Sequence, residues 1–273
     1  MSKSDSLAAA PWKSLFDSHL QKLGSSPEFT LATVTDKGLP RVRTCIHRGF
    51  WAELPENSHN KLPRNPRVFE SDCPTFTTDA RMHKVYDIFA TGKGKGTLEQ
   101  SLAGTGGGGP VEAVYWVKEV MTQWRVKGQC WIIAADDVEH AGDGDMQNSG
   151  TVTMKAVVQR YMRKTGESGE WSWRREIENH FGNLSPSMRG TFKNPPPGQP
   201  IADGAGPGEK LGQKAGDLED EDLARKNYRV VVIVPDEVER CDMSDPNNNQ
   251  RWIWKLKKEN EGAYEWDVVE TWP

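Results

Sequence analysis

No run of about 18 apolar residues occurs in the chain, so no transmembrane helix is expected. The start, MSKSDSLAAAPWKSLF, holds a short apolar stretch but lacks a signal-peptide core. Cysteine is scarce and scattered. Cys45, Cys73, Cys130 and Cys241 form no CxxC pair, which removes the common zinc and dithiol signatures and suits reduced thiols in a cytosolic protein. A basic excess is missing as well: net charge is −4 and the pI about 5.9, against the broad cationic surface that nucleic acid requires. HExxH, GxSxG and internal repeats are absent. GKGKGT (92–97) has neither the spacing nor the strand–turn–helix setting of a P-loop and reads as a loop. In REIENH, Glu176 and His180 stand four apart, which reads as a solvated helix face rather than a metal site. A hydrolase or a metalloenzyme therefore has little support.

What the chain does have is tryptophan, 11 residues against 8 Phe and 5 Tyr, which suits a core anchored by large rings. With 273 residues it can bury a substantial core, while a mean hydropathy of −0.72 implies much solvated loop. PWKSLFDSHLQKLG places Trp12, Leu15, Phe16, Leu20 and Leu23 on one helical face with Gly24 as a stop. FTLATVTDKGLPRVRTCIHRGFWAEL reads as two strands around a turn, and GTGGGGP (104–110) as a flexible loop. VEAVYWVKEVMTQWRVKGQCWIIAADD holds two more strands, HAGDGDMQNSG is a loop, and TMKAVVQRYMRK reads as a helix. NYRVVVIVP, QRWIWKLKK and AYEWDVVET read as three closing strands. Many strands with few crossover helices favour an antiparallel barrel. Residues 1–273 are taken as a single domain, with a flexible Pro/Gly-rich and then acidic loop at 192–222.

Anion chemistry accumulates at two places. In PRVRTCIHR an ideal strand puts Arg41, Arg43, Cys45 and His47 on one face and Val42, Thr44 and Ile46 on the other. In TFTTDARMHKVYDIF a β-branched half becomes a helical half, so Thr77, Thr78, His83 and Lys84 gather where a strand turns into a helix. Hydroxyls, cations and free helix-start N–H groups are the donors a phosphate cradle needs, the alternative being an edge strand with solvated arginines and a solvated helix face at His83 and Lys84.

These segments carry a resemblance. GLPRVRTCIHRGF, TFTTDARMHK and TQWRVKG resemble the three successive flavin-binding segments of pyridoxamine 5′-phosphate oxidase-like proteins. RWIWKLKKENEGAYEWDVVETWP resembles the closing strands of that family, and WSWRREIENHFGNLSPSMRGTFKNPPPGQP the mid-section of a branch common in fungi and cyanobacteria. The resemblance runs from about Trp12 to Pro273. It implies a mainly β fold with flanking helices, the FMN-binding split β-barrel, assembled as a homodimer with flavin at the subunit interface. By the same resemblance Arg43 faces the FMN phosphate, Thr44, Cys45 and Ile46 run along the flavin, and Arg48 stands near the ring and substrate. Thr77, Thr78, His83 and Lys84 fall on the phosphate side, with His83 in place of the family's arginine. Gln123 and Arg251 match groups at the flavin ring, with Gln123 reaching it from the partner subunit. Three departures stand out: Met82 where the family often has Ser, Cys241 near the position of an oxidase tryptophan, and SDPNNNQR without the oxidase's Arg-x-His pair. The implied function is a cytoplasmic FMN-dependent oxidoreductase acting on a small molecule of unknown identity, with no nucleic-acid or membrane partner. The alternatives are a non-catalytic flavin-binding or storage protein, and pyridoxal 5′-phosphate synthesis with altered substrate contacts.

Overall fold

The barrel starts from a hairpin. β1 (Glu28–Val34) and β2 (Pro40–Ile46) pair antiparallel from Glu28↔Ile46 to Val34↔Pro40. Gly38 in the connection takes a φ of +75°, which glycine adopts without steric cost. A computed structural model of the chain describes residues 7–92, 104–138, 150–215, 222–258 and 264–273. Beyond the hairpin, β5 (Gly106–Val117), β6 (Thr122–Ile133), β8 (Tyr228–Asp242), β9 (Gln250–Lys258) and β10 (Tyr264–Thr271) complete an antiparallel sheet in the order β10-β9-β8-β6-β5-β1-β2. β4 (Thr75–Asp79) pairs with the first part of β8. Its other edge is joined to the end of β2 by Arg48 N–H to Thr75 O and Thr75 N–H to Gly49 O, both 2.8 Å. The ring β2-β1-β5-β6-β8-β4 thereby closes into a barrel with few free edges. A small separate pair, β3 (Phe69–Ser71) with β7 (Met162–Lys164), lies outside it.

The run VVVIV in β8 shows why the fold has two cores. Val231 and Ile233 point into the barrel, while Val230, Val232 and Val234 point to an outer apolar layer. A strand covered on both faces needs no polar alternation. Helix α1 (Lys13–Gln21) fills the barrel side with Trp12, Phe16 and Leu20; the Phe16 ring meets Tyr115 edge-on at 5.0 Å and Trp124 at 5.3 Å. Helices α3 (Gly150–Arg160) and α4 (Trp173–Gly182) cover the outer layer, where Trp51, Trp171 and Trp173 pack together. Most tryptophans are core anchors as expected, although Trp116 and Trp272 are exposed.

One expectation is overturned. The glycine run read as a flexible loop is the first half of β5, with a bulge between Gly107 and Gly109. Packing explains it. Helix α2 (His83–Thr91) lies directly on this strand, and a Cβ at Gly109 would stand 2.5 Å from Ile88 O and 2.6 Å from Thr91 Oγ1. Glycine here brings a helix close to a sheet rather than loosening a loop.

Residues 192–215 hold two short 3₁₀ turns and are tied down by Asn227 Nδ2 to Phe192 O (2.8 Å) and Ala215 N–H to Pro186 O (2.9 Å). Residues 216–221 of the loop expected at 192–222, most of GKGKGT and nearly all of HAGDGDMQNSG lie outside the described residues. Among the described residues no helix is long and apolar enough to cross a membrane, and no group of three His, Cys, Asp or Glu could hold a metal ion. All four cysteines are unpaired. Gly109→Ala should destabilise the fold by about 1–3 kcal/mol, the usual scale of overpacking, with a lower Tm by calorimetry; an unchanged Tm would show that α2 does not rest on β5 in this way.

Candidate functional site

β4 ends at Asp79, the chain turns through Ala80–Met82, and α2 begins at His83. The strand-to-helix reading of this stretch holds. Met82 gives α2 no side-chain cap, and its first turn carries no acid, so the positive end of the helix is left for another anion. Lys84 lies in that first turn but is only 8% exposed. Its ammonium donates to Thr78 Oγ1 at 3.1 Å and touches Met82 Sδ. Among the described residues no carboxylate comes within 4.0 Å of it.

Arg43 reaches the same region from β2. It donates to Leu31 O (3.0 Å), Arg41 O (3.3 Å) and Thr33 Oγ1 (2.8 Å), and stands 3.6 Å from Asp87 Oδ2. Thr33 in turn donates to Asp87 at 2.7 Å. The sequence reading missed Asp87; its one signal was an acid among the apolar helix positions Val85, Ile88 and Phe89. Burial holds the Lys84 pKa below its usual value; Cys45 opposes the shift, Arg43 adds to it and Asp79 opposes it. Burial likewise lowers Arg43, with Cys45 and Asp87 acting against the shift. The Cys45 thiol is pushed up by burial despite both cations. A buried ammonium, a half-buried guanidinium and a thiol whose ionisation burial opposes therefore share one end of the barrel.

The remaining candidates fall in three places. Along β2, Cys45 and His47 are buried and Arg43 half-buried, while Val42 (66% exposed) and Thr44 face out and Ile46 is half-buried. Arg41, expected on the same face as Arg43 and Cys45, is exposed at the strand's start. Thr77 is half-buried opposite Val230, Thr78 is buried opposite Arg229, and His83 is exposed. Arg48 lies deeper, its Nε buried with no hydrogen-bond partner, as is Tyr228 Oη. Burial lowers the Arg48 pKa, with nearby Tyr228 opposing the shift.

Gln123 and Arg251 lie apart from the cations. Gln123 pairs with Cys241, and Cys241 with Arg251, in one row across β6, β8 and β9. Arg251 donates to Glu239 Oε2 at 2.8 Å. Along β8, Cys241 lies twelve residues beyond Arg229, the partner of Thr78, which at strand spacing is up to about 40 Å of chain. The structure gathers Arg43, Cys45, Thr78 and Lys84 and leaves Gln123 and Arg251 at the far end of β8.

Residues 9–134 match the family model described as pyridoxamine 5′-phosphate oxidase, FMN-binding domain. Over this stretch, just under half of its length, the chain is similar to that family. No curated protein matches it by sequence. Among solved structures it is similar to a pyridoxamine 5′-phosphate oxidase-related, FMN-binding protein from Nostoc punctiforme PCC 73102, at 17% identity and a TM-score of 0.56, over 97% of this chain and 99% of that one. PhzG from Burkholderia lata 383, solved in complex with tetrahydrophenazine-1-carboxylic acid, aligns over 99% of this chain and 100% of its own at 13% identity and a TM-score of 0.43. The first likeness establishes the fold, the split β-barrel with flanking helices.

Outside the family segment the structure corrects a second reading. Glu176 and His180 are not a solvated face: they are 3% and 1% exposed, with His180 Nε2 4.0 Å from Glu176 Oε1 and stacked on Trp51. Helix α4 turns this side toward the outer core, which i,i+4 spacing alone could not reveal. Glu176 also borders a cavity of about 290 Å³ with Ala52, Leu54, Arg64 and Asn65. Burial raises its carboxyl from 4.5 to about 6, against a bond from Asn65. Burial drives the His180 imidazole to about 3, with Arg48 adding to the shift.

The raised carboxyl gives a pH signature. Well below pH 4.5 Glu176 is protonated in both folded and unfolded chains and costs nothing; as pH rises from about 4.5 to about 6 the folded state loses stability, levelling off above that at about 2 kcal/mol for a shift of this size. Glu176→Gln should therefore stabilise the protein by up to that amount at pH 7 and by little at pH 4. Urea unfolding of both proteins from pH 4 to 8 measures it; a stability difference independent of pH would show that the carboxyl is not raised.

Proposed function

We propose that the protein binds FMN and acts as a flavin-dependent oxidoreductase on a small organic substrate, as a twofold homodimer. The observation that carries the reading is Lys84. An ammonium buried without a carboxylate is costly unless an anion arrives to pair with it. Arg43 stands on the same side, and the uncapped start of α2 adds a partial positive charge. A phosphate monoester fits these donors, and the similarity to an FMN-binding domain supports FMN as the cofactor that bears one. Arg43, Thr78 and Lys84 hold the phosphate in this reading, with Thr77 and His83 at its margin and Thr44, Cys45 and Ile46 alongside the flavin. Met82 offers sulfur where the family often has a hydroxyl, so the donor set is leaner. Bound flavin supplies the redox chemistry, and the protein orients it.

The position of Gln123 and Arg251 supports the dimer. They sit in a row near the end of β8 away from the Thr78 pairing, and in this reading they complete the site of a second copy across a twofold interface. Light scattering should give a dimer with one FMN per chain; a monomer that retains stoichiometric FMN would sink this arrangement.

The phosphate assignment is tested by comparing two ligands. Lys84→Ala should weaken FMN about 10- to 150-fold, the worth of one charge-assisted bond, and leave riboflavin nearly unaffected. Arg43→Ala should act in the same sense. Equal losses for both ligands would mean that only the fold was damaged, and unchanged FMN affinity would remove the phosphate from this junction. Bleaching of the flavin band by a substrate under anaerobic conditions separates an oxidoreductase from a flavin carrier.

A further inference from the structure

Lys84 has a carboxylate close by that it does not use. Asp79 is buried at the end of β4, next in sequence to Thr78, to which Lys84 is bonded, and its charge acts on Lys84. Both of its oxygens are taken by Arg81: Nε donates to Oδ1 at 2.9 Å and a terminal nitrogen to Oδ2 at 2.7 Å. The Arg81 amide also donates to Oδ1 at 2.8 Å. A fork of this kind fixes both partners in direction as well as in charge.

Arg81 is itself held from outside the junction. It donates to Glu209 Oε1 at 2.7 Å and to Asn194 O at 2.9 Å. Glu209 Oε2 accepts the Gly206 amide at 2.8 Å, so the carboxylate is fixed to its own turn. The strap of residues 194–209 also lies against α2, with Gly198 beside His83 Nε2. The Arg81 side chain is only 16% exposed and that of Glu209 13%, so salt screens the pair weakly.

We propose that Arg81, braced by Glu209, is a positioning residue of the anion site: it sequesters the Asp79 carboxylate and so keeps the Lys84 ammonium available for a phosphate. Without Arg81, Asp79 would lose its partner in a buried place, where the cations its charge acts on are Lys84, bonded to the neighbouring Thr78, and Arg229, paired opposite Thr78. Arg229 already donates to the Lys226 and Tyr228 carbonyls, so the freed carboxylate would draw on Lys84 and the site would neutralise itself before a ligand arrived. The inference rests on the reading of this junction as an FMN phosphate site, and it explains why a strap that belongs to no barrel strand ends in an ion pair at the start of α2.

The test is a rescue. Arg81→Met should weaken FMN by at least about 10-fold, the loss of one charge-assisted bond, with riboflavin much less affected. Adding Asp79→Asn to Arg81→Met should restore most of that loss, because the competing charge is gone. Asp79→Asn alone should bind FMN at least as tightly as the natural protein. A merely structural role for Arg81 gives the opposite pattern, in which the double variant is no better than the single one, and that result overturns the proposal. Weaker FMN binding by Asp79→Asn overturns it as well, and this variant covers the case in which Arg81→Met fails to fold. A second readout needs no flavin: NMR titration of the Lys84 ammonium in ligand-free protein should move upward in Arg81→Met and return in the double variant. If the natural protein binds no FMN, the function proposed above fails, and the titration still decides whether Arg81 keeps Asp79 from Lys84.

Discussion

A single strand with two apolar faces sets the rest of the structure in place. β8 gives Val231 and Ile233 to the barrel and Val230, Val232 and Val234 to the outer layer, so neither core can form without it. It also pairs with three other strands, β4 at its start and β6 and β9 further along. Register follows directly. Pairing Thr78 with Arg229 fixes where β4 ends and therefore where α2 starts, while pairing Cys241 with Gln123 and Arg251 fixes the opposite end. A slip of one residue would exchange the two faces of β8 and send each valine set into the wrong core.

The cation cluster is affordable because each charge is handled differently. Arg43 is spread over two backbone carbonyls and a threonine that bridges to Asp87. Lys84 has only a hydroxyl and a thioether, and burial already disfavours its charge. Arg81 lies two residues after Asp79 and binds it fully. Three cations therefore stand close together, yet only one carries charge without a counter-charge. That asymmetry is what the proposed anion site rests on, since a structural ion-pair network satisfies every member internally.

Histidine and carboxylate behave differently in the outer layer. Burial holds His180 neutral, while Glu176 beside it keeps one oxygen without a partner. His180 stacks on Trp51, so the tryptophan-rich layer carries polar groups that a ring count alone would not suggest.

The sequence by itself determined most of the barrel strands, the first helix and the strand-to-helix junction, but not β3, β7 or the glycine half of β5. Local alternation and turn chemistry specify the former, as in the hairpin of β1 and β2 and the three closing strands. The family resemblance grouped Arg43, Thr78 and Lys84, and the fold puts the Lys84 ammonium on Thr78 with the Arg43 charge acting on it. The sequence could not determine partners that lie far apart in the chain. Asp87 beside Arg43, Glu209 beside Arg81, and Glu176 turned inward all depend on how helices pack against strands. The glycine run was misread for the same reason: glycine permits both a loose loop and a close helix contact, and only the position of Ile88 over Gly109 chooses between them. Tertiary packing alone decided which charges are paired, because burial and distance, not residue type, set the worth of a charge.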